Sequence, residues 1–157
     1  MEKFKVTLNE DTDELTIKYI VDGKLVGHLI FEIFTGEKAK EFFADYCTFE
    51  EYKKLIPNDR FIYLGYININ TKYREQGFGN KLMEKFLNYI TNTYNGFVID
   101  RVVLYANPYD FSLQLSILKK FYNRFGFEEI DFETFYEKNS ENYTELNFEN
   151  NIMIKNI

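Results

Sequence analysis

The sequence predicts an α/β (α+β) fold with a mixed, mostly antiparallel central sheet of about six to seven strands flanked by helices. Three observations carry this. The chain opens with strand-like segments that alternate polar and apolar residues and turn back on one another. Residues 61–69 form a nearly continuous apolar run, and 100–106 read as a second buried strand. Single segments with apolar residues at helical spacing lie between strands, the pattern of α/β crossovers.

Residues 3–8 alternate, residues 14–21 do so more loosely, and Asp22-Gly23 makes a hairpin turn into 24–34. In 36–55, Phe42, Phe43, Tyr46, Phe49, Tyr52 and Leu55 recur every three or four positions, which predicts one or two helices. Pro57-Asn58-Asp59 breaks that pattern before the strand at 61–69. From about Gln76 to Tyr94, the stripe Leu82, Met83, Phe86, Leu87, Ile90 and Tyr94 predicts an amphipathic helix, closed by Asn95-Gly96. After the strand at 100–106, Asn107-Pro108 turns the chain and Asp110 is placed to cap a helix over 111–125. Gly126 ends that helix, and strands are expected at 127–135 and 143–156.

The chain has 157 residues and a mass of 18.9 kDa, so a single domain over 1–157 is expected. No run reaches the roughly 18 apolar residues a membrane span needs, so no membrane partner is expected. The N-terminus lacks a signal-peptide core, and Cys47 is the only cysteine; both fit a reducing, cytoplasmic location. A net charge of -6 argues against a general nucleic-acid binder, which needs a basic face for phosphates. An acidic surface serves solubility, and it is also compatible with attracting a cationic amine.

The most informative stretch is Arg74-Glu75-Gln76-Gly77-Phe78-Gly79, between a strand and a helix. Glycines let backbone approach a ligand, and a helix N-terminus presents unpaired N–H groups to an anion. A P-loop needs Gly-Lys-Ser/Thr, whereas Gly79 is followed by Asn80-Lys81. A dinucleotide fingerprint needs a third glycine, and Leu82 stands there. The remaining bland reading is a strand-to-helix turn with glycines for packing. The order strand, Asn70-Thr71-Lys72-Tyr73, Arg74-x-x-Gly77-x-Gly79, helix resembles the acyl-CoA-binding motif of the GNAT superfamily of N-acetyltransferases. A second segment, Phe121-Tyr122-Asn123-Arg124-Phe125-Gly126-Phe127, resembles that family's tyrosine signature ahead of Gly-Phe.

The resemblance covers about residues 61–130 and implies a GNAT-like acyl-CoA N-acyltransferase fold with acetyl-CoA as acyl donor and no metal. It implies that backbone N–H groups from Gln76, Gly77, Phe78, Gly79 and Asn80 hold the pyrophosphate, with Arg74 adding charge. It implies that the backbone of Ile67 and Ile69 lines the pantetheine arm and that Asn107 hydrogen-bonds it. Tyr122 is implied as general acid to the leaving thiolate; a helical stripe with Leu118, Phe121 and Phe125 also suits a core aromatic. The resemblance implies a primary amine of a small molecule or peptide as acceptor, and a homodimer fits the family. A catalytically silent acyl-CoA-binding or interaction module is the alternative.

Two departures stand out. The family usually places two helices between its first and second strands, whereas here the helical segment comes at 36–55. The strand at 61–69 carries no carboxylate to serve as base; Tyr63, Tyr66, Glu32, Asp59 or a water chain are substitutes, none favoured. His28 reads as structural, and Cys47 as a small buried hydrophobe.

Overall fold

Asp22 and Gly23 both take positive φ, +49° and +76°, the pair a type I′ hairpin requires. They join strands β2 (Leu15–Val21) and β3 (Lys24–Thr35), which pair antiparallel with Val21 opposite Lys24. Strand β1 (Glu2–Leu8) pairs antiparallel with β2 on its other side. The computed structural model describes residues 1–95, 99–106, 115–130, 132 and 151–157. It divides into two compact units, residues 1–33 with 62–97 and residues 34–61 with 98–157.

In the first unit, β4 (Arg60–Ile69) leads through a short 3-10 turn at Thr71–Tyr73 to helix α3 (Phe78–Thr93). The predicted stripe of α3 is buried at Leu82, Met83, Phe86 and Ile90, with the Phe86 ring 5.1 Å from Phe31 of β3. Ile17, Tyr19, Leu29 and Phe31 complete that core from the strands. Helix α3 ends at Tyr94, whose N–H bonds Ile90 O; Gly96, the expected cap, lies outside the described residues.

In the second unit, the aromatic stripe of 36–55 forms two helices, α1 (Gly36–Phe43) and α2 (Phe49–Leu55). The division is set by Thr48, whose hydroxyl accepts the Glu51 N–H at 3.2 Å and caps α2. Both helices follow β3 and precede β4, as the sequence indicated. Phe43 and Phe61 pack at 5.5 Å, and the Arg101 guanidinium reaches Leu55 O. Strand β5 (Arg101–Tyr105) pairs antiparallel with β7 (Ile152–Asn156), and β7 with the short β6 (Glu128–Glu129). Helix α4 is Leu115–Arg124. Asp110, residues 111–114 and the expected strand residues 131, 133–135 and 143–150 lie outside the described residues.

Among the described residues, seven strands in the order β1-β2-β3-β4-β5-β7-β6 and four helices make a mixed α/β fold, which meets the sequence expectation.

Candidate functional site

The glycine turn is built from the end of β4 upward. Asn70 fastens that end to β3: its N–H bonds Val26 O at 2.8 Å and its side-chain amide bonds Leu25 O at 2.7 Å. The 3-10 turn then reverses the chain, with the Tyr73 N–H bonded to Asn70 O. Arg74 folds back onto the strand instead of extending into solvent. Its Nε donates to Ile69 O at 2.9 Å and its terminal nitrogen to Asn68 Oδ1 at 3.2 Å. The guanidinium therefore ties the strand exit to the turn and brings fixed positive charge beside Ile69.

Glu75 and Gly77 both take left-handed conformations, φ +64° and +80°, with Gln76 between them. Gly77 is the N-cap of α3 and no side chain caps the helix. The N–H groups of its first turn have no intrahelical partner, and the helix dipole adds partial positive charge there. A Cβ built on Gly77 meets nothing within 4 Å, so its glycine is demanded by backbone conformation and leaves open space ahead of the helix. An anion as large as a pyrophosphate fits the chemistry of such a cradle.

Phe78 anchors the corner. Its ring meets Tyr19 edge-on at 5.5 Å, and Tyr19 stacks on Phe4 at 4.4 Å. Lys81, one turn into α3, pairs with Glu2 at 2.6 Å. Lys81 hydrogen bonding and the nearby Tyr19 hydroxyl hold the Glu2 carboxyl below its ordinary range. Burial first, then Glu2, pushes Tyr19 up to about 12, although its hydroxyl stops short of full hydrogen-bond geometry. Ile67, Ile69, Arg74, Gln76, Gly77, Phe78, Gly79 and Asn80 are thus one continuous strand-turn-helix corner of the first unit.

Tyr122 belongs to the second unit and is buried, 6% exposed, at the end of α4. Its ring meets Phe127 edge-on at 5.9 Å, and its carbonyl accepts the N–H groups of Phe125 and Phe127. Gly126 turns the chain with φ +88°. Asn107 lies outside the described residues.

Of the substitute bases, Asp59 is occupied: it sits at φ +54°, receives Lys53 Nζ at 3.2 Å and lies beside the buried Tyr52 hydroxyl. Tyr52 and Lys53 hold its carboxyl low, which makes it a weak proton acceptor. Glu32, Tyr63 and Tyr66 are half-buried on β3 and β4. Cys47 is 3% exposed and its thiol points at Phe43 O, a structural setting. It borders a pocket of about 250 Å³ within the α1–α2 hairpin. Among the described residues, no three His, Cys, Asp or Glu side chains converge as a metal site. No described helix is long and apolar enough to cross a membrane.

His28, which the sequence reads as structural, sits against a neighbouring strand. Its ring lies 5.0 Å from Tyr66. The only sequence signal was that a strand residue of that type is able to reach across to a neighbouring strand.

No protein-family model and no curated protein matches the sequence. Solved structures match the fold. Tetrahymena GCN5 aligns with a TM-score of 0.52 and 14% identity over 94% of this chain and 70% of its own. PaiA N-acetyltransferase from Thermoplasma acidophilum, in complex with coenzyme A, aligns with a TM-score of 0.55 and 16% identity over 94% of this chain and 63% of its own. AtaT complexed with acetyl-methionyl-tRNAfMet aligns with a TM-score of 0.56 and 15% identity over 91% of this chain and 71% of its own. The chain has the fold of the GNAT superfamily. That the AtaT structure holds a tRNA sets it apart from the partner class expected of this acidic chain.

Proposed function

We propose that this chain is a GNAT-type N-acetyltransferase that transfers an acetyl group from acetyl-CoA to a primary amine by direct attack. The observation that carries the reading is the uncapped N-terminus of α3 behind Gly77, with open space where a side chain would stand, in an Arg74-x-x-Gly77-x-Gly79 turn. In this reading N–H groups from Gln76 to Asn80 hold the pyrophosphate and the backbone at Ile67 and Ile69 guides the pantetheine. Asn107 adds a hydrogen bond to that arm. The amine nitrogen attacks the thioester carbonyl, a backbone N–H of β4 stabilises the oxyanion, and Tyr122 protonates the departing thiolate. Holding the thioester in place supplies much of the rate as orientation. The location is cytoplasmic.

The acceptor class is a small cationic or aromatic amine, a peptide N-terminus or a lysine. The tRNA-bound neighbour adds aminoacyl-tRNA to the panel, against which the net charge of -6 weighs. The burial of Tyr122 against Phe127 favours a second reading, a silent acyl-CoA-binding module.

Melting experiments test the binding half. Acetyl-CoA at about a hundred times its Kd stabilises by about 2.7 kcal/mol, a rise in Tm of roughly 5–10 °C. Gly77→Glu is expected to abolish the rise by filling the open space with a carboxylate. Native protein that shows no rise overturns the reading. Thiol release across the amine panel then separates the enzyme from the silent module, which would bind without turnover.

A further inference from the structure

Strands β3 and β4 approach closely beside the glycine turn. A Cβ on Gly27 would stand 2.5 Å from Asn68 O and 3.2 Å from Ile69 Cα, so only glycine permits the approach. The next residue, His28, lies with its ring 5.0 Å from Tyr66, the residue before Ile67. The imidazole therefore stands beside the stretch of β4 to which the proposed function assigns the acyl arm. It is half-buried, and its nitrogens make no hydrogen bond among the described residues.

The groups that face it are Tyr66 on β4 and Lys18, its register partner on β2. Glu32 lies further along β3 itself. Burial, and secondarily the Lys18 charge, hold the imidazole below its ordinary 6.5. At neutral pH it is then uncharged and carries a free lone pair. The β4 strand offers no carboxylate for that role, and Asp59 is committed to Lys53.

We propose that His28 is the general base of the transfer, a role that rests on the acetyltransferase reading above. The acceptor's ammonium gives a proton to an imidazole nitrogen, and the freed lone pair attacks the thioester carbon. The C–N bond forms as the C–S bond breaks, sulfur leaves with the bonding pair as thiolate, and it is protonated by Tyr122 or solvent. The nitrogen, cationic after attack, loses its second proton to solvent to leave a neutral amide, and His28 returns its own proton to solvent.

His28 is the only histidine in the chain, so a single imidazole Hε1 signal reports it by NMR. The signal is expected to titrate below 6.5 and to move when acetyl-CoA is added. His28→Gln is expected to keep the acetyl-CoA rise in Tm while thiol release with tyramine or putrescine falls about a hundredfold. The same variant is expected to lose the acid limb of the kcat/KM profile. Acetyl-CoA that raises Tm but leaves the imidazole signal unmoved overturns the role of His28 and spares the acetyltransferase reading. A variant that keeps the acid limb does the same. Acetyl-CoA that raises no Tm removes the acetyltransferase reading, and the base with it.

Discussion

Two corners of the molecule are turned by glycine in the same conformation and are otherwise opposite. Gly77, φ +80°, opens helix α3; Gly126, φ +88°, closes helix α4. Each is pinned by a Tyr–Phe edge contact, Tyr19 on Phe78 at 5.5 Å and Tyr122 on Phe127 at 5.9 Å. The difference is what surrounds the missing side chain. A Cβ at Gly77 would meet nothing within 4 Å, whereas at Gly126 it would stand 2.7 Å from Lys155 Nζ. A helix N-terminus left open suits an anionic ligand. A C-terminus approached by an ammonium is already complemented by the protein's own charge. One corner has open space and the other is filled by the protein itself, and only a chemical role for Tyr122 would make the second more than a fold element.

That exception is the largest effect to look for. Tyr122→Phe keeps the edge contact with Phe127 and removes only the hydroxyl. If the hydroxyl protonates the thiolate, thiol release falls by about 10² to 10⁴ with Tm nearly unchanged. Full activity across the pH range would leave the α4 corner purely structural and sharpen the contrast.

Next in size is a matched pair, Gly77→Ala and Gly126→Ala. Both force a side chain into a left-handed backbone at a cost of about 1–3 kcal/mol, or a Tm loss of roughly 2–10 °C. Lys155 is flexible at its end, so its displacement adds little at Gly126. The contrast lies in the ligand. Gly77→Ala is expected to shrink the acetyl-CoA rise in Tm and Gly126→Ala to leave it intact. Equal rises in the two variants would break the distinction between an open and a filled corner.

The two corners also differ in how far the sequence foretold them. Hairpin, stripe and break signals are local, so Asp22-Gly23, the buried face of α3 and the succession of elements along the chain could be read directly. The turn at 74–79 was legible for the same reason, because its glycines and its helix are adjacent in sequence. The direction of Arg74 was not, since its packing onto Asn68 and Ile69 depends on the 3-10 turn that reverses the chain. Division of the 36–55 stripe into two helices turned on Thr48, a cap that periodicity does not register. His28 and Tyr66 meet only through the pairing of their strands, a distant contact that no spacing rule contains.

The smallest effect tests what holds the open corner in place. Tyr19 supports Phe78 at the start of α3, and its pKa is raised from 10.0 to about 12, chiefly by burial. A raised pKa contributes stability that is complete below pH 10 and is lost as pH climbs from 10 toward 12. In that window the unfolded phenol ionises while the folded one keeps its proton. At pH 11 the loss is about 1 kcal/mol. Tyr52, also pushed upward by burial and by Asp59, adds an alkaline loss of its own in the second unit. Tyr19→Phe should therefore flatten the fall in Tm between pH 10 and 12 only in part. Because the ring stays on Phe78, the acetyl-CoA rise at neutral pH should stay unchanged. An alkaline fall identical to that of the native protein would mean that Tyr19 ionises freely, and that packing around Phe78 is looser than the closed aromatic stack implies.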